Sequence, residues 1–146
     1  MQETNIKIRN ISNNPFPKYA TTGSSGLDLM AHIEHPVILE SLERKLIPTG
    51  LFLEIPHNME AQVRPRSGLS INHGITCLNS PGTIDSDYRG EIKVILINLS
   101  DKPFTVKNGD RIAQVIFSKV EKIKWQEESL LSKSNRGEGG FGHTGN

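Results

Sequence analysis

Residues 91–99 read Glu-Ile-Lys-Val-Ile-Leu-Ile-Asn-Leu. The run is rich in β-branched residues and much shorter than a membrane span, so it is predicted to be a strand. Ile92, Val94 and Leu96 fall on one face, and Ile95 and Ile97 on the other. A strand apolar on both faces is covered on both. The chain offers little helix to do the covering. The second face therefore calls for another sheet or another subunit.

The remaining segments fit the same picture. Residues 4–11 alternate, with Ile6 and Ile8 on one face, and Asn13-Asn14-Pro15-Phe16-Pro17 ends them. Residues 26–31 form a short apolar strand with Asp28 inside it; alternation turns Asp28 to solvent or to a site. Residues 37–39, 45–48 and 51–55 are further strands, with Pro48 to Gly50 expected to turn the chain between the last two. Residues 59–64 alternate again. Residues 67–73 are the one short helix, with Ser67 as its expected N-cap. Residues 75–78 and 91–99 read as the two arms of a hairpin. Residues 103–107 and 111–120 are strands joined by the turn Asn108-Gly109-Asp110. About ten short strands, one helix and Gly/Pro punctuation throughout predict an all-β sandwich or jelly roll.

Length and composition narrow the function. A chain of 146 residues is expected to be one domain that needs no staple. The formal net charge of +1 argues against a nucleic-acid partner held by a basic face. Cys77 is the single cysteine and cannot form an internal disulfide, which fits a reducing, cytoplasmic home. No apolar h-region of a signal peptide opens the chain, and no run approaches a membrane span. There is no CxxC or HExxH pattern, and His32 and His35 read as loop residues. After Trp125 the composition turns polar. The expected division is a β domain over residues 1–125 and a flexible arm over residues 126–146.

Four stretches carry candidate chemistry. Residues 79–92 open on Pro81-Gly82, a turn signal, and then present Asp85 and Asp87, Tyr88 and Gly90. Such a bend holds an acid, an aromatic plate and main-chain polar groups, enough to seat a small planar ligand beside a base. A tight polar hairpin with solvated aspartates would use the same residues. Arg66 beside Ser67 at a helix start suits an anion, and equally an ordinary capped turn. Gln114 sits among apolar residues and must find partners, so it is either at an edge or in a site. Residues 136–145 hold five glycines and cannot pack a core. They read as a disordered tail, except that Arg136, Phe141 and Thr144 are poor filler and glycine N–H groups can approach phosphate.

Five segments in order resemble the motifs of the trimeric dUTP diphosphatases (dUTPases). They are Ser24-Ser25-Gly26-Leu27-Asp28-Leu29, Pro65-Arg66-Ser67-Gly68-Leu69, the run Gly82 to Glu91, Asn108-Gly109-Asp110-Arg111-Ile112-Ala113-Gln114, and Arg136 to Gly145. His143 stands where the family often has serine. The resemblance implies a jelly-roll homotrimer with shared active sites. It implies Mg2+-assisted hydrolysis of dUTP to dUMP and pyrophosphate, which lowers dUTP and supplies dUMP for thymidylate synthesis. Asp85 would act on the attacking water and touch the sugar 3′-hydroxyl. Tyr88 would pack on the deoxyribose and leave no room for a 2′-hydroxyl. The main chain near Asn79, with Gly82, Thr83 and Ile84, would receive the nucleoside. Arg66, Ser67, Gly68 and Gln114 would contact phosphates, and Asp28 would hold metal-bound waters. In the arm, Phe141 would cover the uracil, while Arg136, Gly142 and Thr144 would grip the terminal phosphates. A dCTP deaminase, which shares the fold, and a non-catalytic β-trimer are the rivals; product analysis separates all three.

Overall fold

The computed structural model describes residues 3–145; residues 1–2 and 146, the outer ends of the two expected segments, lie outside these. Ten strands and one helix are present: β1 (Lys7–Asn10), β2 (Leu27–Met30), β3 (Val37–Leu39), β4 (Arg44–Glu54), β5 (Met59–Arg64), α1 (Ser67–His73), β6 (Ile75–Cys77), β7 (Gly82–Ile84), β8 (Glu91–Asn98), β9 (Phe104–Val106) and β10 (Arg111–Lys119). Two four-stranded sheets, ordered β1-β4-β8-β6 and β2-β10-β5-β7, are accompanied by the ribbon β3-β9. Every pairing is antiparallel. The expected all-β, jelly-roll-like sandwich with one helix is what the chain forms.

The core lies between the two large sheets. Ile47, Leu51 and Leu53 of β4 and Ile92, Val94 and Leu96 of β8 cluster with Leu29 of β2, Ala61 and Val63 of β5, and Ala113 and Val115 of β10. Each set follows the two-residue period of a strand with one face inward. Ile6, just before the edge strand β1, packs against this core, whereas Ile8 on β1 is exposed.

The outward face of β8 is the exception to that division. Ile95 and Ile97 are half-buried, and Leu46, directly opposite Ile95 on β4, is 55% exposed. Among the described residues, the second cover that the strand calls for is incomplete. No helix among the described residues is long and apolar enough to cross a membrane.

Three local expectations are corrected. Pro48 to Gly50 does not turn the chain: β4 runs through it, and the pairing with β8 slips between Pro48 and Leu51. A bulge uses the same residues as a turn, and Gly50 takes a φ of +71° there. Thr49 is buried within the slip, and its hydroxyl donates to the Ile92 carbonyl at 2.6 Å. Ser67 does not cap α1. Arg66 holds the N-cap position without a side-chain cap, and Ser67 is the first helical residue. The turn signal at Pro81-Gly82 holds: the chain bends over residues 78–81 and Gly82 opens β7. Finally, β6 and β8 do pair, Ile75 opposite Asn98, yet the chain between them crosses to the other sheet, where β7 pairs with β5.

Candidate active site

β7 carries the first half of the site. Gly82 and Ile84 point inward and are buried, which leaves Thr83 outward. Gly82 is also where the Asn79 side chain lies, since a Cβ there would stand 3.0 Å from the Asn79 amide nitrogen. The chain then turns at Asp85–Tyr88, with the Tyr88 N–H donating to the Asp85 carbonyl at 3.1 Å. Arg89 braces the turn by donating to the carbonyls of Ser86, at 2.7 Å, and Tyr88, at 3.0 Å.

This hairpin walls a cleft of about 430 Å³ that Asn79, Thr83, Ile84, Asp85 and Tyr88 line. Its floor is the uncovered sheet face, Leu46 and Ile95, and Lys93 adds a cation. Five of the six hairpin residues named from the motif resemblance thus come together, and Gly82 does not line the cleft. The floor residues were missed as site residues, although the two-sided pattern of β8 was their signal. An exposed carboxylate, an aromatic ring and an apolar floor in one cleft can hold a planar base and a sugar beside a general base.

The second half lies where β2 and β10 approach the start of α1. β10 runs between β2 and β5, so Gln114 stands opposite Asp28 on one side and Arg64 on the other. Gln114 is therefore not on an edge strand; its amide donates to the Pro65 carbonyl at 3.0 Å. A Cβ at Gly26 would collide with that amide. Asp28 does not simply face water. One of its oxygens accepts from Arg66 Nε at 3.0 Å and the other from Arg111 Nη1 at 3.3 Å. Arg66 also donates to the Arg111 carbonyl at 3.3 Å. Two guanidiniums against one carboxylate leave this corner cationic, next to the exposed Ser67 and Gly68. That charge suits a phosphate chain.

The hairpin cleft is lined by none of Asp28, Arg66, Ser67, Gly68 and Gln114. Among the described residues, no hydrogen bond joins the arm to either half: Arg136 Nε donates to the Gly139 carbonyl of the arm itself at 2.7 Å, and Phe141, Gly142 and Thr144 are exposed. Cys77 is buried, which pushes its thiol up to about 11 and makes it a poor nucleophile. Among the described residues, no three His, Cys, Asp or Glu side chains gather as a metal group.

The model of the dUTPase family matches residues 12–145. The chain belongs to the dUTPase family. The deoxyuridine 5′-triphosphate nucleotidohydrolase of Finegoldia magna is 57% identical to it over 140 residues, 96% of this chain and 98% of that protein. The enzyme of the same name from Rickettsia akari is 54% identical over 147 residues, 99% of each. Among solved dUTPase folds, a mutant from Staphylococcus bacteriophage 80alpha with dUpNHpp superposes with a TM-score of 0.87 at 21% identity, over 98% of this chain and 99% of that one. A mutant from Staphylococcus aureus phage phi11, described with a structural Mg(II) ion, gives 0.79 at 17% identity, over 89% and 100%. At those identities the likeness is one of fold. Within one chain of this family, the hairpin cleft and the Arg66 corner are thus separate.

Proposed function

We propose that the protein hydrolyses dUTP to dUMP and pyrophosphate by attack of water on the α-phosphorus, lowering dUTP and supplying dUMP for thymidylate synthesis. Family membership and near-full-length relatives named for this reaction support it. The observation that carries it within this chain is the hairpin cleft, where Asp85 and Tyr88 stand with Asn79 and Thr83 over one apolar floor.

In this reading Asp85 orients and deprotonates the water and touches the 3′-hydroxyl. Tyr88 packs on the deoxyribose. The main chain at Asn79, with Gly82, Thr83 and Ile84, receives the uracil. Arg66, Ser67, Gly68 and Gln114 take the phosphates, with Ser67 beside the departing oxygen. Phe141 covers the base, and Arg136, Gly142 and Thr144 close on the terminal phosphates. Phosphoryl transfer asks for an aligned water, a carboxylate base and positive charge on the leaving oxygens, and these residue types supply all three.

What one chain lacks supports an assembly of copies. The face at Leu46, Ile95 and Ile97 is open, and the hairpin does not meet the Arg66 corner. A homotrimer covers that face and lets the hairpin of one copy meet the Arg66 corner of another. Mg2+ fits such a site. A hard cation chelated by a triphosphate keeps waters and needs few protein ligands. Asp28 can accept from those waters, because each carboxylate oxygen retains lone-pair capacity beyond its guanidinium bond. When bound, the ion neutralises phosphate charge. A reducing cytoplasm is the proposed home, in keeping with the free Cys77 thiol.

Incubating each deoxynucleoside triphosphate with Mg2+ and identifying the products tests the reaction. dUTP alone should yield its monophosphate and pyrophosphate, and chelation should slow turnover strongly. Release of dUDP and orthophosphate, or of ammonia from dCTP, would sink the assignment. Sedimentation should report three copies of the 16.2 kDa chain.

A further inference from the structure

Gly90 lies at the root of the hairpin, between Tyr88 and Glu91. Its φ is outside the left-handed region, so the main chain there suits any L-residue and does not by itself require glycine. What glycine provides is space. A Cβ at this position would stand 2.5 Å from Tyr88 Cζ and 2.9 Å from Cε2, and closer still to the hydroxyl oxygen. The Tyr88 ring thus lies directly against the Gly90 main chain.

The far end of that ring is tied down. The Tyr88 hydroxyl donates to the Glu91 carbonyl at 3.0 Å. Glu91 is itself anchored, since one carboxylate oxygen accepts from the Gly50 N–H, in the β4 bulge, at 2.9 Å. The adjacent residue Ile92 receives the Thr49 hydroxyl. A half-exposed tyrosine on a turn ordinarily has several staggered wells open to it. Here one well combines contact with Gly90 and the bond to Glu91, and it leaves the ring lining the cleft beside Asp85.

We propose that Gly90, together with the Glu91 carbonyl, is a positioning element that fixes the pitch of the Tyr88 ring and so sets discrimination against ribonucleotides. The inference rests on the dUTP reading above. Excluding one hydroxyl by contact requires a wall that does not yield. A ring free to swing is a soft wall, and a methyl group at position 90 evicts the ring from its held orientation.

The test compares kcat/KM for UTP and dUTP in the wild type, Gly90→Ala, Tyr88→Phe, Tyr88→Ala and the Gly90→Ala/Tyr88→Ala double variant, with folding checked by melting and sedimentation. Gly90→Ala should raise the UTP/dUTP ratio about 10- to 100-fold, the range over which pockets tell small groups apart. Tyr88→Phe, which keeps the ring and loses the bond to Glu91, should move the ratio the same way by less. With the ring already removed by Tyr88→Ala, adding Gly90→Ala should change the ratio by less than about twofold, the usual limit of additivity. An active, folded Gly90→Ala protein with an unaltered ratio overturns the proposal, as do equal effects of Gly90→Ala in both backgrounds. Should Gly90→Ala not fold, an unaltered ratio in Tyr88→Phe overturns it instead. A wild type that leaves dUTP intact overturns the assigned reaction, whereas an active wild type indifferent to these changes overturns the role of Gly90 alone.

Discussion

Asp85→Asn is expected to lower the turnover of dUTP by about 10²–10⁴-fold, the value of a positioned general base, with KM much less changed. The substitution keeps the shape of the side chain and removes only its charge and basicity. It should not disturb the hairpin, because the turn is closed by the main chain of residue 85 accepting from the Tyr88 N–H at 3.1 Å. The side chain is exposed, so the change in stability should stay within about 0.5 kcal/mol. Chemistry and stability therefore separate at this position. Single-turnover hydrolysis, read beside a melting curve, tests both. A loss below about threefold, far short of the range for base catalysis, rules Asp85 out as the base.

Many of the strands were legible in the sequence for a simple reason. A strand that buries one face alternates in its letters, as Met59–Arg64 does, whereas Val37–Leu39 is apolar throughout and shows as a strand only by its β-branched run and flanking breaks. Where the reading failed, different structures use the same letters. Pro48 and Gly50 signal a turn, yet a bulge inside a long strand also needs a glycine at positive φ. Gly82–Ile84 was not read as a strand because three residues behind a proline carry almost no period.

The site was legible as residue types and motif order, but not as geometry. Asp28 meets Arg66, 38 residues away, and Arg111, 83 away, and no local pattern announces such pairs. The floor of the cleft was visible only as a strand with two apolar faces. That pattern said something must cover it without saying that a ligand site lies along it. The separation of the hairpin from the Arg66 corner is beyond any single-chain pattern, and it is what supports the proposal that copies share sites.

Removing residues 136–146 is expected to leave a folded protein of near-normal melting temperature whose turnover falls by about 10²-fold or more, the cost of losing substrate positioning. The arm adds little to the fold. Residues 121–145 contribute no strand, and their side chains are almost all exposed, with Phe141 fully so. Five glycines make ordering costly, so closure must be driven by what the arm grips. Phe141 offers a base stack worth about 1–3 kcal/mol. Arg136 and the glycine N–H groups offer phosphate contacts that strengthen once water is excluded. For Arg136 this means exchanging its bond to the Gly139 carbonyl for a phosphate. Phe141→Ala should be a milder form of the deletion, about tenfold down, in line with one lost stack. In a Trp125→Phe/Phe141→Trp protein, the indole at 141 should report closure by fluorescence when a non-hydrolysable dUTP analogue is added. Mixing arm-deleted chains with Asp85→Asn chains then tests the sharing of sites. Where the arm and the hairpin of one site come from different copies, some mixed sites contain both intact parts, and activity returns above that of either variant alone. If the truncated protein keeps most of its activity, or if mixing restores none, the arm does not close a shared site.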